Sequence, residues 1–365
     1  MWSLLRQAVG FRRQRWRWCR RGSPRAVAAA AVLLVACTPA AGGDEAVVLM
    51  YHRFGEDRHP STSVSIEQFE AHLEYLGSQG YTVVPLADVV AAVRDGGELP
   101  DRAVAITVDD AYRSVYEEAF PRLRARGWPL TVFVATDPVD AGRPGYMTWE
   151  QMREMERGGV TFANHGASHA SFVRWPGAAS EIDLRVRVQT DLQHAQSRLA
   201  EELHPLTGVL AYPYGEYDTS VAELVTELGY VAFGQQSGAV GPSSDPRALP
   251  RYPMVEAFAD IDQFALKVAT RPLPVARLVP WDPVTTSRRP RVEITLGATD
   301  ARLDRLACFV GGQGEAVLQW LEPGRRFLVM PRADLEPGRN RVNCTAPAST
   351  GGRFHWYSHP WIVLR

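Results

Sequence analysis

Two consecutive aspartates close the run Ala103-Val104-Ala105-Ile106-Thr107-Val108-Asp109-Asp110, and downstream stands His165-Gly166-Ala167-Ser168-His169. Adjacent carboxylates at a strand end, taken alone, are usually a solvated turn. Two imidazoles four positions apart, in one turn of chain after a strand-like run at 160–162, can face a single ion. With one carboxylate they make a His/His/Asp set that leaves coordination positions open for water and substrate, the arrangement of a catalytic rather than a structural metal. The second carboxylate is then free to act as a base. Two further segments follow strand-like runs: Tyr212-Pro213-Tyr214-Gly215 after 208–211, and Tyr51-His52-Arg53-Phe54 at the end of the first. Taken singly, these are a Pro-Gly turn with packed aromatics and a structural histidine.

The elements that must carry these groups alternate along the chain. Apolar runs at 47–50, 81–84, 103–108, 130–134, 160–162, 208–211 and 230–233 predict strands. Amphipathic stretches at 66–79, from Leu86, and at 114–126, 149–156, 181–202 and 219–228 predict helices between them. Such alternation means βαβ units and a parallel sheet, and this many of them suggest an α/β barrel. An apolar run buried on both faces leaves its terminal carboxylates at the C-terminal end of the strand, where such sheets place their chemistry. Near Pro272-Leu273-Pro274 the pattern changes to short alternating strands with Gly-Gly and Pro-Gly turns, a small β-sandwich of immunoglobulin-like kind. The expected domains are residues 46–275 and 276–365.

The order Thr107-Val108-Asp109-Asp110, His165 to His169, then Tyr212-Pro213-Tyr214-Gly215 resembles the polysaccharide deacetylases of the NodB-homology type, carbohydrate esterase family 4, over roughly 47–254. Met50-Tyr51-His52-Arg53 is similar to the branch that includes the poly-β-1,6-N-acetylglucosamine deacetylases. There the motifs are circularly permuted, and an early histidine fills the role otherwise held by a late Leu-x-His. The resemblance implies a distorted (β/α) barrel in which Asp110, His165 and His169 bind a divalent metal, most simply Zn2+. It makes Asp109 the base that takes a proton from the attacking water, the backbone N–H of Tyr214 an oxyanion donor, and His52 the acid for the departing amine. Three departures stand out. Ala111 replaces the usual glycine, Gly166 stands where Ser or Thr is common, and Ala211 occupies the place of the arginine that often orients the base. Arg251, in Leu249-Pro250-Arg251-Tyr252, is the residue expected to replace it.

Residues 1–36 join an arginine-crowded start to an apolar stretch too short to span a bilayer, the pattern of a secretory signal peptide. Leu34-Val35-Ala36-Cys37 resembles the bacterial lipobox, which implies a lipidated Cys37, a linker over 37–45, and a lipoprotein anchored in the cell envelope near export machinery. In an exported chain Cys308 and Cys344, the two cysteines outside this segment, are expected to pair. Forty basic and 41 acidic residues are dispersed, with Lys267 the single lysine, which gives no basic patch for nucleic acid. Tyr112, Tyr146, Trp149 and Trp175 are candidates to stack on sugar rings, as are Trp356 and Trp361 in the C-terminal region. His59, His72, His194, His204, His355 and His359 belong to no constellation. The expected activity is metal-dependent removal of acetyl groups from N-acetylglucosamine units of an acetylated exported or envelope polysaccharide. The rivals are an O-acetyl esterase on another glycan and a catalytically weak polysaccharide-binding lipoprotein.

Overall fold

The computed structural model describes residues 43–175 and 177–364, and they fall in one compact unit. The expected signal peptide and lipidated Cys37 lie outside the described residues. Among those described, no helix is long and apolar enough to cross a membrane.

The N-terminal part is a curled, mainly parallel sheet. Ala46–Tyr51 pairs with Ala103–Asp109, which is followed across the sheet by Thr131–Val134, Thr161–Asn164, Val209–Ala211 and Val231–Phe233. Each strand neighbours the next long one in sequence, the usual order for successive βαβ units. The two edges of this half-barrel approach each other through one segment. Leu249 bridges to Phe233 on one side, and Tyr252–Pro253 pairs with Leu49 and Met50 on the other.

Strand periodicity explains which groups face the inside. In Ala103–Asp109, Val104, Ile106 and Val108 enter the core beneath the helices, whereas Ala103 and Ala105 join a second core with Phe133, Ala163, Ala211 and Phe233. Thr107 and Asp109 follow the same parity and point to that second face. Helix Ile66–Ser78 buries Phe69, Leu73 and Leu76, and opens with a Ser65–Gln68 capping box. Helix Trp149–Arg157 opens with the same device from Thr148 and Gln151. The stretch expected as one helix at 114–126 is a π turn over Val115–Ala119 followed by an α-helix over Phe120–Arg126. Pro121 cannot donate to the carbonyl four residues back, so the ladder is interrupted there. The short helix Thr136–Asp140 and the helix Ile261–Val268 were not anticipated.

The C-terminal strands form two sheets around one core. Val275–Val279, Val292–Leu296, Arg326–Met330 and Val317–Glu322 lie in that order in one sheet; Phe354–Val363, Gly338–Pro347, Ala307–Val310 and Gly314–Glu315 make the other. Ile294, Phe327 and Val329 from the first meet Val310, Val342 and Trp361 from the second. Arg271–Pro272 already pairs with His355 and Trp356, so the chain joins these sheets before residue 276. Cys308 and Cys344 form a disulfide, but they face each other on neighbouring strands of one sheet rather than stapling the two sheets together. Replacing both by serine removes a cross-link spanning 36 residues. Loop-closure entropy puts the expected loss at about 4 kcal/mol. The urea midpoint of the double variant measures it, and an unchanged midpoint would mean that strand pairing alone holds this sheet.

Candidate active site

His52, Asp109 and the Tyr214 turn stand at or just after the ends of strands, and the loop from His165 to His169 follows another. Asp109 is the last residue of its strand and is fully buried. The chain then turns sharply, with Asp110 at φ 74 and Ala111 at φ 54, while the Asp110 N–H donates to Phe133 O at 3.0 Å. Aspartate visits this left-handed region readily. Ala111, standing where the resemblance expects glycine, adopts it at a penalty of about 1–2 kcal/mol.

His165 follows Thr161–Asn164 and is 1% exposed. Its Nδ1 lies 2.8 Å from the carbonyl of Ala211. A carbonyl can only accept, so Nδ1 carries the hydrogen and Nε2 presents its lone pair. That Nε2 lies 3.3 Å from Asp110 Oδ1, and His169 Nε2 lies 3.0 Å from the same oxygen. Asp110 Oδ1 is nevertheless buried without a hydrogen bond of acceptable geometry. One ligand atom from each of Asp110, His165 and His169 falls within 4.8 Å of the others. A carboxylate oxygen without a hydrogen bond, facing the Nε2 atoms of two imidazoles, is a donor set that fits a divalent cation such as zinc. Burial by itself would lower the pKa of His165, yet the carboxylates of Asp110 and Asp109 hold it above the ordinary histidine value. The field that retains a proton there is one that would also attract a cation.

The loop from His165 to His169 is held by residues that the sequence did not single out. Asn164 Oδ1 accepts from Gly166 N at 2.8 Å, and Asp191 accepts from Ala167 N at 2.8 Å and Ser168 N at 2.9 Å. Gly166 stands where the resemblance expects Ser or Thr; its φ of 74 and a Cβ position 2.6 Å from Asp191 Oδ2 call for glycine, and Asp191 supplies the brace. Isolated acids on a helix carry no spacing signal, so Asp191 had none to find.

Arg251 is fully buried and grips Asp109 with both arms, Nη1 to Oδ1 at 2.7 Å and Nη2 to Oδ2 at 2.8 Å. Its Nε donates to Gly234 O at 3.0 Å, and Nη1 also reaches Thr107 Oγ1 at 3.2 Å. Burial pushes the Asp109 carboxyl up, but the Arg251 guanidinium together with the nearby His165 and His52 holds it below its ordinary value. Ala211 keeps a function without a charged side chain, since its carbonyl orients His165. His52 stands with Nε2 4.0 Å from Asp109 Oδ2, and its buried Nδ1 has no hydrogen-bond partner. Burial lowers its pKa against the pull of Asp109 and Asp110.

Tyr214 sits in the turn Pro213–Gly215 with φ 60, its ring edge-on to His169 at 4.5 Å between centroids. The groups open onto a cleft of about 830 Å3 lined by His52, Asp110, His169 and Tyr214. Tyr112 and Tyr146 also line it, their rings 4.9 Å apart. The other aromatic candidates lie elsewhere. Trp149 donates to Asp140 Oδ1, Trp175 packs against Phe172, Trp356 stands edge-on to Tyr252, and Trp361 is part of the C-terminal core.

Residues 96–233 match the family model for polysaccharide deacetylases. The chain is similar to YxkH of Bacillus subtilis, at 24% identity over 204 residues, covering 56% of this chain and 66% of that protein. It is also similar to the poly-beta-1,6-N-acetyl-D-glucosamine N-deacetylase of Escherichia coli, at 26% identity over 242 residues, covering 57% of this chain but 35% of that enzyme. The aligned region therefore spans just under two thirds of the first relative and about a third of the second. Among solved structures, IcaB from Ammonifex degensii superposes with a TM-score of 0.54 at 27% identity, covering 62% of this chain and 98% of IcaB. Sequence motifs, family match and shared fold agree on one region: residues 96–233 match the polysaccharide deacetylase domain, within a fold shared with IcaB.

Proposed function

We propose that this protein is a metal-dependent N-deacetylase that hydrolyses acetamide groups of N-acetylglucosamine units in an exported or envelope polysaccharide, with poly-β-1,6-N-acetylglucosamine the favoured substrate. The observation that carries the reading is the meeting of the Asp110, His165 and His169 ligand atoms beside an arginine-held Asp109 in an open cleft. A binding protein needs no buried base next to a ligand set. The named relatives support the choice of glycan.

Asp110, His165 and His169 would hold the cation, which supplies Lewis acidity toward the acetamide carbonyl and the attacking water. Asp109, kept anionic by Arg251, accepts a proton from that water. The Tyr214 N–H stabilises charge developing on the carbonyl oxygen. His52, when protonated, gives a proton to the departing glucosamine nitrogen.

The signal segment and Cys37 support an exported, lipid-anchored protein working near envelope export machinery. The C-terminal strand order supports an immunoglobulin-like sandwich over about 276–365. With the two-residue strands at 284–285 and 314–315 set aside and the rest from Val275 onward named A to G along the chain, the order is A-B-E-D in one sheet and G-F-C in the other, which supports that reading.

Acetate release from poly-N-acetylglucosamine oligomers, chitooligosaccharides and O-acetylated xylan tests the reading. Release from the first is expected, and exclusive release from the last would make the protein an esterase. Asp109→Asn should abolish turnover, about a thousandfold or more, while retaining zinc; His165→Ala should lose both. Full activity in either variant would sink the assignment. His52→Ala should slow amide hydrolysis by about a hundredfold but spare an activated ester, whose leaving group needs no proton. Equal slowing of both substrates removes His52 as the acid. Arg251→Met leaves a buried carboxylate without its partner, which is expected to cost about 3–5 kcal/mol in stability along with activity. Wild-type thermal stability and turnover in this variant would show that Asp109 is held in line by other groups.

A further inference from the structure

The strand Gly338–Pro347 belongs to the C-terminal sheets, yet two of its arginines, Arg339 and Arg341, line the catalytic cleft. Arg339 Nη1 donates to the backbone carbonyl of Tyr214 at 2.8 Å and to Gln235 Oε1 at 3.4 Å. Its Nε lies 3.8 Å from Glu216 Oε1, and its guanidinium carbon lies 5.8 Å from the centre of the Tyr214 ring. Two residues along, on the same face of the strand, Arg341 Nη1 donates to Gln235 O at 3.2 Å.

What these contacts hold is a peptide under strain. Tyr214 is a non-glycine residue at φ 60, ψ 2, a conformation that persists only where the surroundings over-determine it. Glu216, fully buried, completes the brace: it accepts from Ser171 and Arg174, just beyond His169. Arg339 thus closes a chain of contacts running through the Tyr214 turn and Glu216 back to the segment that carries a metal ligand. It lies well outside residues 96–233, which match the family model.

We infer that Arg339 is a positioning residue of the active site, supplied by the C-terminal sheets, which by holding the Tyr214 carbonyl fixes the turn that aims the Tyr214 N–H for charge stabilisation during acetamide hydrolysis. The inference rests on the deacetylase reading for its kinetic part and on geometry alone for the clamp itself. Its guanidinium is about half exposed in the ion pair with Glu216, so its worth to overall stability is small. Its worth to the position of one peptide is not bounded in that way.

The test uses the full chain loaded with zinc. Arg339→Ala should lower kcat by about tenfold or more with KM within about twofold, the mark of an interaction made in the transition state. Zinc content and Tm should stay at wild-type values. Arg339→Lys should recover part of the loss, and added guanidinium salt should rescue Arg339→Ala. Amide hydrogen exchange across residues 212–217 should quicken in Arg339→Ala, with or without zinc. A kcat within about twofold of wild type overturns the inference. So does a loss that follows falling Tm or zinc content and resists guanidinium. Should the wild type itself release no acetate from any glycan, the deacetylase reading fails; exchange across 212–217 then decides the clamp, faster exchange supporting it and unchanged exchange overturning it.

Discussion

A carboxylate with no exposed surface must stay charged if it is to work as a base, and that constraint shapes the barrel around Asp109. Burying an isolated charge is far more costly than burying an apolar group, so a charged partner must be delivered to the same dry space. Arg251 arrives on the segment that joins the sheet's two edges, between Leu249, which bridges to Phe233, and Tyr252, which pairs with Leu49. Curling of the sheet and ionisation of the base are therefore one structural event. The inner face makes room for the guanidinium because it is built from Ala103, Ala105, Ala163 and Ala211, with Phe133 packed 5.2 Å from the guanidinium carbon. Thr107, on the same face, accepts from Arg251 and donates to Leu49 O, which ties the pair to the first strand.

A second constraint is conformational. Of the five non-glycine residues with positive φ among those described, Asp110, Ala111, His169 and Tyr214 belong to this site. Each carries a penalty of order 1 kcal/mol or more that the surrounding contacts must offset. Asn164 and Asp191 do so for the histidine loop, Phe133 O for the aspartate turn, and Glu216 with Arg339 for the Tyr214 turn. Strain gathered in this way turns three strand ends inward onto one small volume. A relaxed loop would carry the same side chains past it.

Local pattern made much of this visible in advance. Apolar runs and stretches with helical period marked most strands and helices of the barrel to within a residue or two, because both depend on neighbours in sequence, whereas the helices Thr136–Asp140 and Ile261–Val268 went unmarked. Asp110, His165 and His169 stood out by type and spacing. What local pattern could not supply was contact across distance. The Arg251–Asp109 pair joins residues 142 apart in sequence, and only the family resemblance, with its missing arginine at Ala211, pointed to Arg251. Asp191 and Glu216 are single acids with no companion at fixed spacing. Gly166 looked like a missing hydroxyl because a backbone dihedral leaves no trace in residue type. The cysteine pair was evident by elimination, whereas its place within one sheet followed only from strand order.

The C-terminal sheets acquire their relation to the site through the same logic of strain and support. Burial of Trp361, Phe327 and Val342 in their own core explains why they fold, but not why they lie against the barrel. The seam does: Arg271–Pro272 continues the parallel pairing into His355 and Trp356, and Trp356 stands edge-on to Tyr252, two residues from the Met254 N–H that donates to Met50 O. A strand anchored there brings Arg339 and Arg341 to the rim of the cleft with their register already set. Contacts of that kind are partly hydrated and add little to the free energy of folding. Their leverage is geometric, because the groups they touch are the ones held in the least comfortable backbone conformations. A region whose core has no part in the chemistry can then still govern it.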